Sequence, residues 1–191
     1  MHERLITPPY YPDLSEIDLW NKLIFLGGPV QGADDWQMEA YQTIHQLYPN
    51  VWVASPRRLE LPQDKYSPKK SYQQDHWETF WLNKVRQLDG VALFWLAKEV
   101  NHICRRTFAQ TTRDELAKFR TLKNLNRFQR LVVGIEDGFS GASYQRRKLR
   151  QETPDVIIHR SLERACSEAV SLVKGNRGSY YDSPPFQTRM F

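Results

Sequence analysis

The chain has 191 residues, 40% of them hydrophobic and 13% aromatic, with a formal charge of +5 and a pI of about 9.2. That length suits one globular domain whose core needs no staples. No segment approaches the ~20 apolar residues of a membrane helix, Met1 to Tyr11 holds no apolar stretch of signal-peptide length, and the two thiols, Cys104 and Cys166, point to a reducing, cytoplasmic setting.

The first predicted strand is the apolar run Lys22 to Leu26, closed by Gly27-Gly28-Pro29. Asp34 or Asp35 then caps a helix to about Leu47, with Trp36, Ala40, Ile44 and Leu47 at helical spacing. Val51 to Ala54 is a second strand, stopped by Ser55-Pro56-Arg57-Arg58. A polar loop from Leu59 to about Lys70 leads to a helix from about Ser71 to Gln87, with Trp77, Trp81, Leu82 and Val85 inward. Gly90 to Leu96 reads as a buried third strand, and the long loop from Ala97 to Thr111 has the length of a functional one. A helix to about Asn124, a strand from Arg130 to Ile135, a basic helix from Ala142 to Arg150 and a strand from Asp155 to His159 follow. Ser161 caps a last helix with Leu162, Ala165, Ala169, Leu172 and Val173 inward.

Five strands alternating with helices imply an α/β fold, a three-layer flavodoxin-like domain with a five-stranded parallel sheet. Residues 1–20 read as an N-terminal extension, 21–174 as the domain, and 175–191, rich in Gly, Ser, Tyr and Pro, as a tail that is either disordered or an arm on a neighbouring subunit.

One stretch stands out: Gln110-Thr111-Thr112-Arg113-Asp114-Glu115-Leu116 follows the third strand and its loop. In open parallel sheets ligands bind beyond the carboxyl ends of the strands, where helix N-termini gather. A Glu in a first helical turn is held ionised by the helix dipole and can attack an electrophilic carbon. Thr112-x-x-Glu115 is equally a capping box, in which Glu115 serves only the helix start.

The ordered set Ile24-Phe25-Leu26-Gly27-Gly28-Pro29, Asp35-Trp36-Gln37, Pro56-Arg57-Arg58, Gln74-x-x-Trp77-Glu78, Leu93-Phe94-Trp95, Thr112-x-x-Glu115-Leu116 and Val132-Val133-Gly134-Ile135-Glu136 resembles the nucleoside 2-deoxyribosyltransferase-like family over roughly residues 22 to 173. The resemblance implies cleavage or transfer at the N-glycosidic bond of a nucleoside or nucleotide, without metal or organic cofactor. It places the nucleophile at Glu115 and a second, proton-transferring carboxylate at Glu78, with Asp75 as the alternative. It assigns substrate contacts to Gly27, Gly28, Asp35, Trp36, Arg57, Gln74, Thr111 and Thr112, and it implies a homo-oligomer, a dimer or larger. Three positions depart from the pattern: Ala117 follows Leu116 where the family has Gly, Phe25 replaces a common Tyr, and Ala109 stands where base-transferring members carry a base-holding Asp. These departures favour hydrolysis, or an unusual acceptor, over exchange between bases. They also leave open a nucleotide-binding module without turnover; a third reading, a nicotinamide-dinucleotide glycohydrolase, uses the same bond chemistry on a larger substrate.

N-glycoside cleavage needs two carboxylates in different protonation states. The expectation is an ionised Glu115 and a proton-holding Glu78, desolvated by Trp77 and Trp81. Asp35 is a helix cap or a sugar-hydroxyl ligand, and Trp36 is core or a stacking platform. Arg57, Arg58, Arg105 and Arg106 are candidate phosphate clamps or structural ion-pair partners. The five histidines show no metal spacing, and His102-x-Cys104 is isolated. The densest basic group, Arg146, Arg147, Lys148 and Arg150, reads as a solvated helix face, so neither nucleic acid nor membrane is expected as a partner.

Overall fold

The computed structural model describes residues 4–15, 17–20, 22–58, 68–102 and 107–175, with side chains from residue 72 onward in the fourth stretch. Arg105, Arg106, Cys104 and the tail from 176 lie outside the described residues.

Six strands and five helices follow in chain order: β1 (Leu5–Ile6), β2 (Leu23–Gly27), α1 (Trp36–Leu47), β3 (Trp52–Ala54), α2 (Pro68–Gln87), β4 (Val91–Leu96), α3 (Gln110–Leu125), β5 (Arg130–Ile135), α4 (Ala142–Glu152), β6 (Ile158–His159) and α5 (Leu162–Val173). All pairings are parallel, in the order β1-β3-β2-β4-β5-β6. Setting β1 aside, this is the flavodoxin-like order. The expected five strands become six because Leu5–Ile6, within the presumed extension, pairs with Val53–Ala54 of β3.

Side chains on a strand point alternately to the two faces. Leu23, Phe25, Ala92, Phe94, Leu131 and Val133 face one way and pack with Trp77, Trp81 and Val85 of α2, Leu116 and Phe119 of α3 and Leu149 of α4. Ile24, Leu26, Val91, Leu93, Trp95 and Val132 face the other way and pack with Ala40 and Ile44 of α1 and Ala165, Ala169 and Val173 of α5. A sheet covered on both faces has near-continuous apolar strands, which is why β4 reads Val-Ala-Leu-Phe-Trp-Leu. Among the described residues no helix is long and apolar enough to cross a membrane.

From β2 the chain runs outward to β3 on one side, then returns to β4 on the other. The loops after β2 and β4 therefore diverge, and that switch point is where a doubly wound sheet leaves a crevice.

Candidate active site

An open cavity lies at this switch point. Its wall is built from the loop after β2 (Gly28 to Gly32), Pro56 after β3, one side of α2 (Gln74, Asp75, Glu78), the loop after β4 (Glu99, Asn101, Thr107 to Ala109) and the first turns of α3 (Gln110 to Thr112, and Glu115). The two loops are stitched together: the backbone N–H groups of Val100 and Asn101 both donate to the Gly32 carbonyl, at 2.7 and 3.1 Å. Gly32 has φ +79, and a Cβ there would lie 2.8 Å from the Asn101 carbonyl oxygen, so no other residue fits without strain.

Glu115 and Glu78 meet across the cavity, sharing a side-chain hydrogen bond. Glu78 is oriented from behind. Gln74 and Glu78 are four apart on α2 and share a face. The Gln74 amide nitrogen donates to Glu78 Oε1 at 2.7 Å and to the Pro56 carbonyl at 2.6 Å. Its oxygen accepts from the Arg58 Nε at 3.2 Å, which leaves the amide nitrogen to face Glu78. Arg58 and Gln74 are both buried, at 7% exposure.

Burial pushes the Glu115 carboxyl well above its ordinary 4.5; the charge of Glu78, the hydrogen bond between them, and the charges of Asp75 and Asp114 push the same way. This runs against the expectation of an ionised Glu115. The helix was expected to start at Thr112, with Glu115 in its first turn. Instead α3 starts at Gln110, with Ala109 at the N-cap in a left-handed conformation (φ 54) and no side-chain cap bond. Glu115 thus falls in the second turn, where the dipole has faded, and desolvation decides its protonation. The capping box does not form, and Thr112 is a buried residue of the first turn that lines the cavity.

The other expected site residues divide into two groups. Gly28, Gln74, Thr111 and Thr112 line the cavity. Gly28 is the close-approach point: a Cβ would lie 2.3 Å from the Trp95 carbonyl oxygen and 2.4 Å from the Trp36 ring. Gly27, Asp35, Trp36 and Arg57 stand elsewhere. A Cβ on Gly27 would strike the Phe94 ring at 2.5 Å, so Gly27 faces the core. Trp36 is buried, its indole N–H donating to the Pro29 carbonyl at 2.9 Å. Asp35 caps α1, accepting from the Met38 N–H at 3.1 Å, and pairs with Arg57 Nε at 3.0 Å.

Arg57 also donates to Gln37 Oε1 at 3.0 Å and to the carbonyls of Val30 and Asp34 at 3.2 and 2.9 Å. Its fork is used to fold the loop after β2 rather than to reach into the cavity. Phe25 is fully buried and packs against Trp77, ring centroids 6.3 Å apart.

Sequence reasoning missed Gln31, Glu99, Asn101 and Phe108, all of which line the cavity. The one available signal was Gly32, whose positive φ marks the point where the two loops meet. Among the described residues no group of three or more His, Cys, Asp or Glu is placed to hold a metal ion.

No protein-family model matches the sequence, and no curated protein matches it.

Proposed function

We propose that this protein cleaves, or transfers at, the N-glycosidic bond of a nucleoside or nucleotide, with Glu115 as nucleophile and Glu78 as acid and base. The observation that carries this reading is the Glu78–Glu115 hydrogen bond in an open cavity at the switch point of the sheet. Two carboxyls joined by a hydrogen bond share one proton, and that is the inventory that glycoside cleavage by a retaining route requires.

The steps balance on that single proton. As the sugar enters, Glu115 passes its proton to Glu78. The Glu115 carboxylate attacks C1′ while Glu78 protonates the departing base, so the C1′–N bond breaks and a sugar ester on Glu115 forms. Glu78, now ionised, takes a proton from water or from an acceptor, whose oxygen or nitrogen attacks C1′ and frees the Glu115 carboxylate. The pair ends with the one proton it began with. Gln74 steadies Glu78 in both states: its N–H favours the ionised oxygen, and its own orientation is fixed by Arg58.

The experiment is a chromatographic screen of nucleosides and nucleotides for released base. Release by the native chain and none by a folded Glu115→Ala variant supports the proposal. Equal release by both removes it.

A further inference from the structure

Among the described residues, the cavity wall inverts the charge balance of the chain. The whole sequence carries 27 Lys and Arg against 22 Asp and Glu. The described residues that line the cavity include the carboxylic acids Asp75, Glu78, Glu99 and Glu115 and no Lys, Arg or His. Phe108 lines the same wall. Thr112, only 3% exposed, lines it as well.

We propose that the cavity selects nucleosides whose base carries a positive charge, such as N-ribosyl pyridinium or N-alkylated purine nucleosides, over neutral ones. The sugar half of this assignment rests on the glycosidic reading above; the charge half rests on the wall. A cation entering among these acids offsets their mutual repulsion, which a neutral ligand leaves in place. It also changes what Glu115 must do. The carboxyl that burial and its acidic neighbours keep protonated gains a nearby positive charge and releases its proton to solvent. The ligand thereby activates the nucleophile.

The bond changes are then simpler than for a neutral nucleoside. The C1′–N bond breaks with its electron pair passing to the positively charged nitrogen, so the base leaves neutral and takes no proton. The Glu115 carboxylate forms the ester at C1′. Water attacks C1′, the ester electron pair returns to Glu115, and the water's proton goes to Glu78. The net change is hydrolysis of the cation with one proton delivered to solvent.

The test uses the full chain and two inert probes: the carbocyclic analogue of nicotinamide riboside, which is a cation and has no ring oxygen to assist cleavage, and its neutral 1,4-dihydro form. Calorimetry at one pH gives both dissociation constants. The proposal expects the cation to bind at least tenfold tighter, with the ratio falling below threefold in the double variant Asp75→Asn/Glu99→Gln. Equal binding, or tighter binding of the neutral form, overturns it. Chromatography of authentic nicotinamide riboside with the native chain is read separately. A cation preference without nicotinamide release supports the charge selection and removes the turnover reading. Base release from neutral nucleosides without a cation preference does the reverse.

Discussion

Glu78 and Glu115, on two different helices, meet carboxyl to carboxyl at the cavity wall, and burial and the Glu78 charge raise the proton affinity of Glu115. A carboxyl whose proton affinity is raised by folding destabilises the fold once the unfolded chain can ionise. Below the ordinary 4.5 both states hold the proton and the cost is absent; as pH rises above that value the unfolded chain releases it first, and stability falls until the folded carboxyl also ionises. The slope is at most about 1.4 kcal/mol per pH unit. Glu115→Gln keeps a donor toward Glu78 and removes the titration. It should therefore unfold at higher temperature than the native chain at pH 8, with the difference shrinking toward pH 4. An identical pH dependence for the two proteins would show that Glu115 is not the group that holds the proton.

Gln74 acts through Glu78 and so is a positioning residue. Gln74→Leu removes the donor that favours the ionised Glu78, which should move the carboxylate limb of the kcat/KM profile to higher pH. The same substitution costs roughly 1–3 kcal/mol of stability, because the Pro56 carbonyl and Arg58 lose a partner. A purely structural Gln74 would lower stability and leave the pH profile where it was.

Arg57 was a candidate phosphate clamp, and its contacts with Asp35, Gln37, Val30 and Asp34 assign it to the loop after β2. Arg57→Ala should weaken nucleosides and their 5′-monophosphates by the same factor, through the loosened loop. A loss confined to the monophosphates, read from paired KM values, would return Arg57 to the phosphate.

Gly28→Ala places a methyl 2.3 Å from the Trp95 carbonyl oxygen and 2.4 Å from the Trp36 ring. Neither neighbour is a flexible chain end: one is strand backbone and the other a buried indole held by Pro29. Overpacking of this kind costs about 1–3 kcal/mol. The urea midpoint should fall with the slope unchanged, and an unshifted midpoint would mean that the loop gives way freely.

Much of the scaffold was legible because its signals are local. β4 is a continuous apolar run buried on both faces, and Asp35 and Ser161 each cap the helix they precede, accepting from Met38 and Arg164 N–H groups. β1 was not legible: two residues carry no periodicity, and Leu5–Ile6 is a strand only because β3 offers it an edge. The start of α3 misled for a physical reason. Thr112 has the chemistry of a cap, while the true boundary, Ala109, has none and turns by a left-handed backbone instead. That displacement takes Glu115 out of the first turn, and burial and the neighbouring acids then raise its proton affinity.

Glu115 stood out from its place after β4 and its loop, while Glu78 was visible only through the family-like spacing of Gln74-x-x-Trp77-Glu78. Periodicity places Trp77 and Trp81 inward but is silent on what the neighbouring face of α2 meets. Asp35, Trp36 and Arg57 were expected at the site through the family-like motifs Asp35-Trp36-Gln37 and Pro56-Arg57-Arg58. In the folded chain their polar atoms are consumed by capping, by the Pro29 carbonyl and by the loop. Glu99 and Asn101 could not be found by spacing, since the Gly32 carbonyl brings their loop to the site from a distant part of the sequence.

The most direct measurement is to trap the sugar. A 2-fluoro-2-deoxy nucleoside slows release of the ester more than its formation, and peptide mass spectrometry then locates the adduct. The account predicts one sugar, without its base, on the peptide bearing Glu115, and none in Glu115→Gln. Base release by the native chain with no adduct on that peptide, or an adduct that persists in Glu115→Gln, would contradict it.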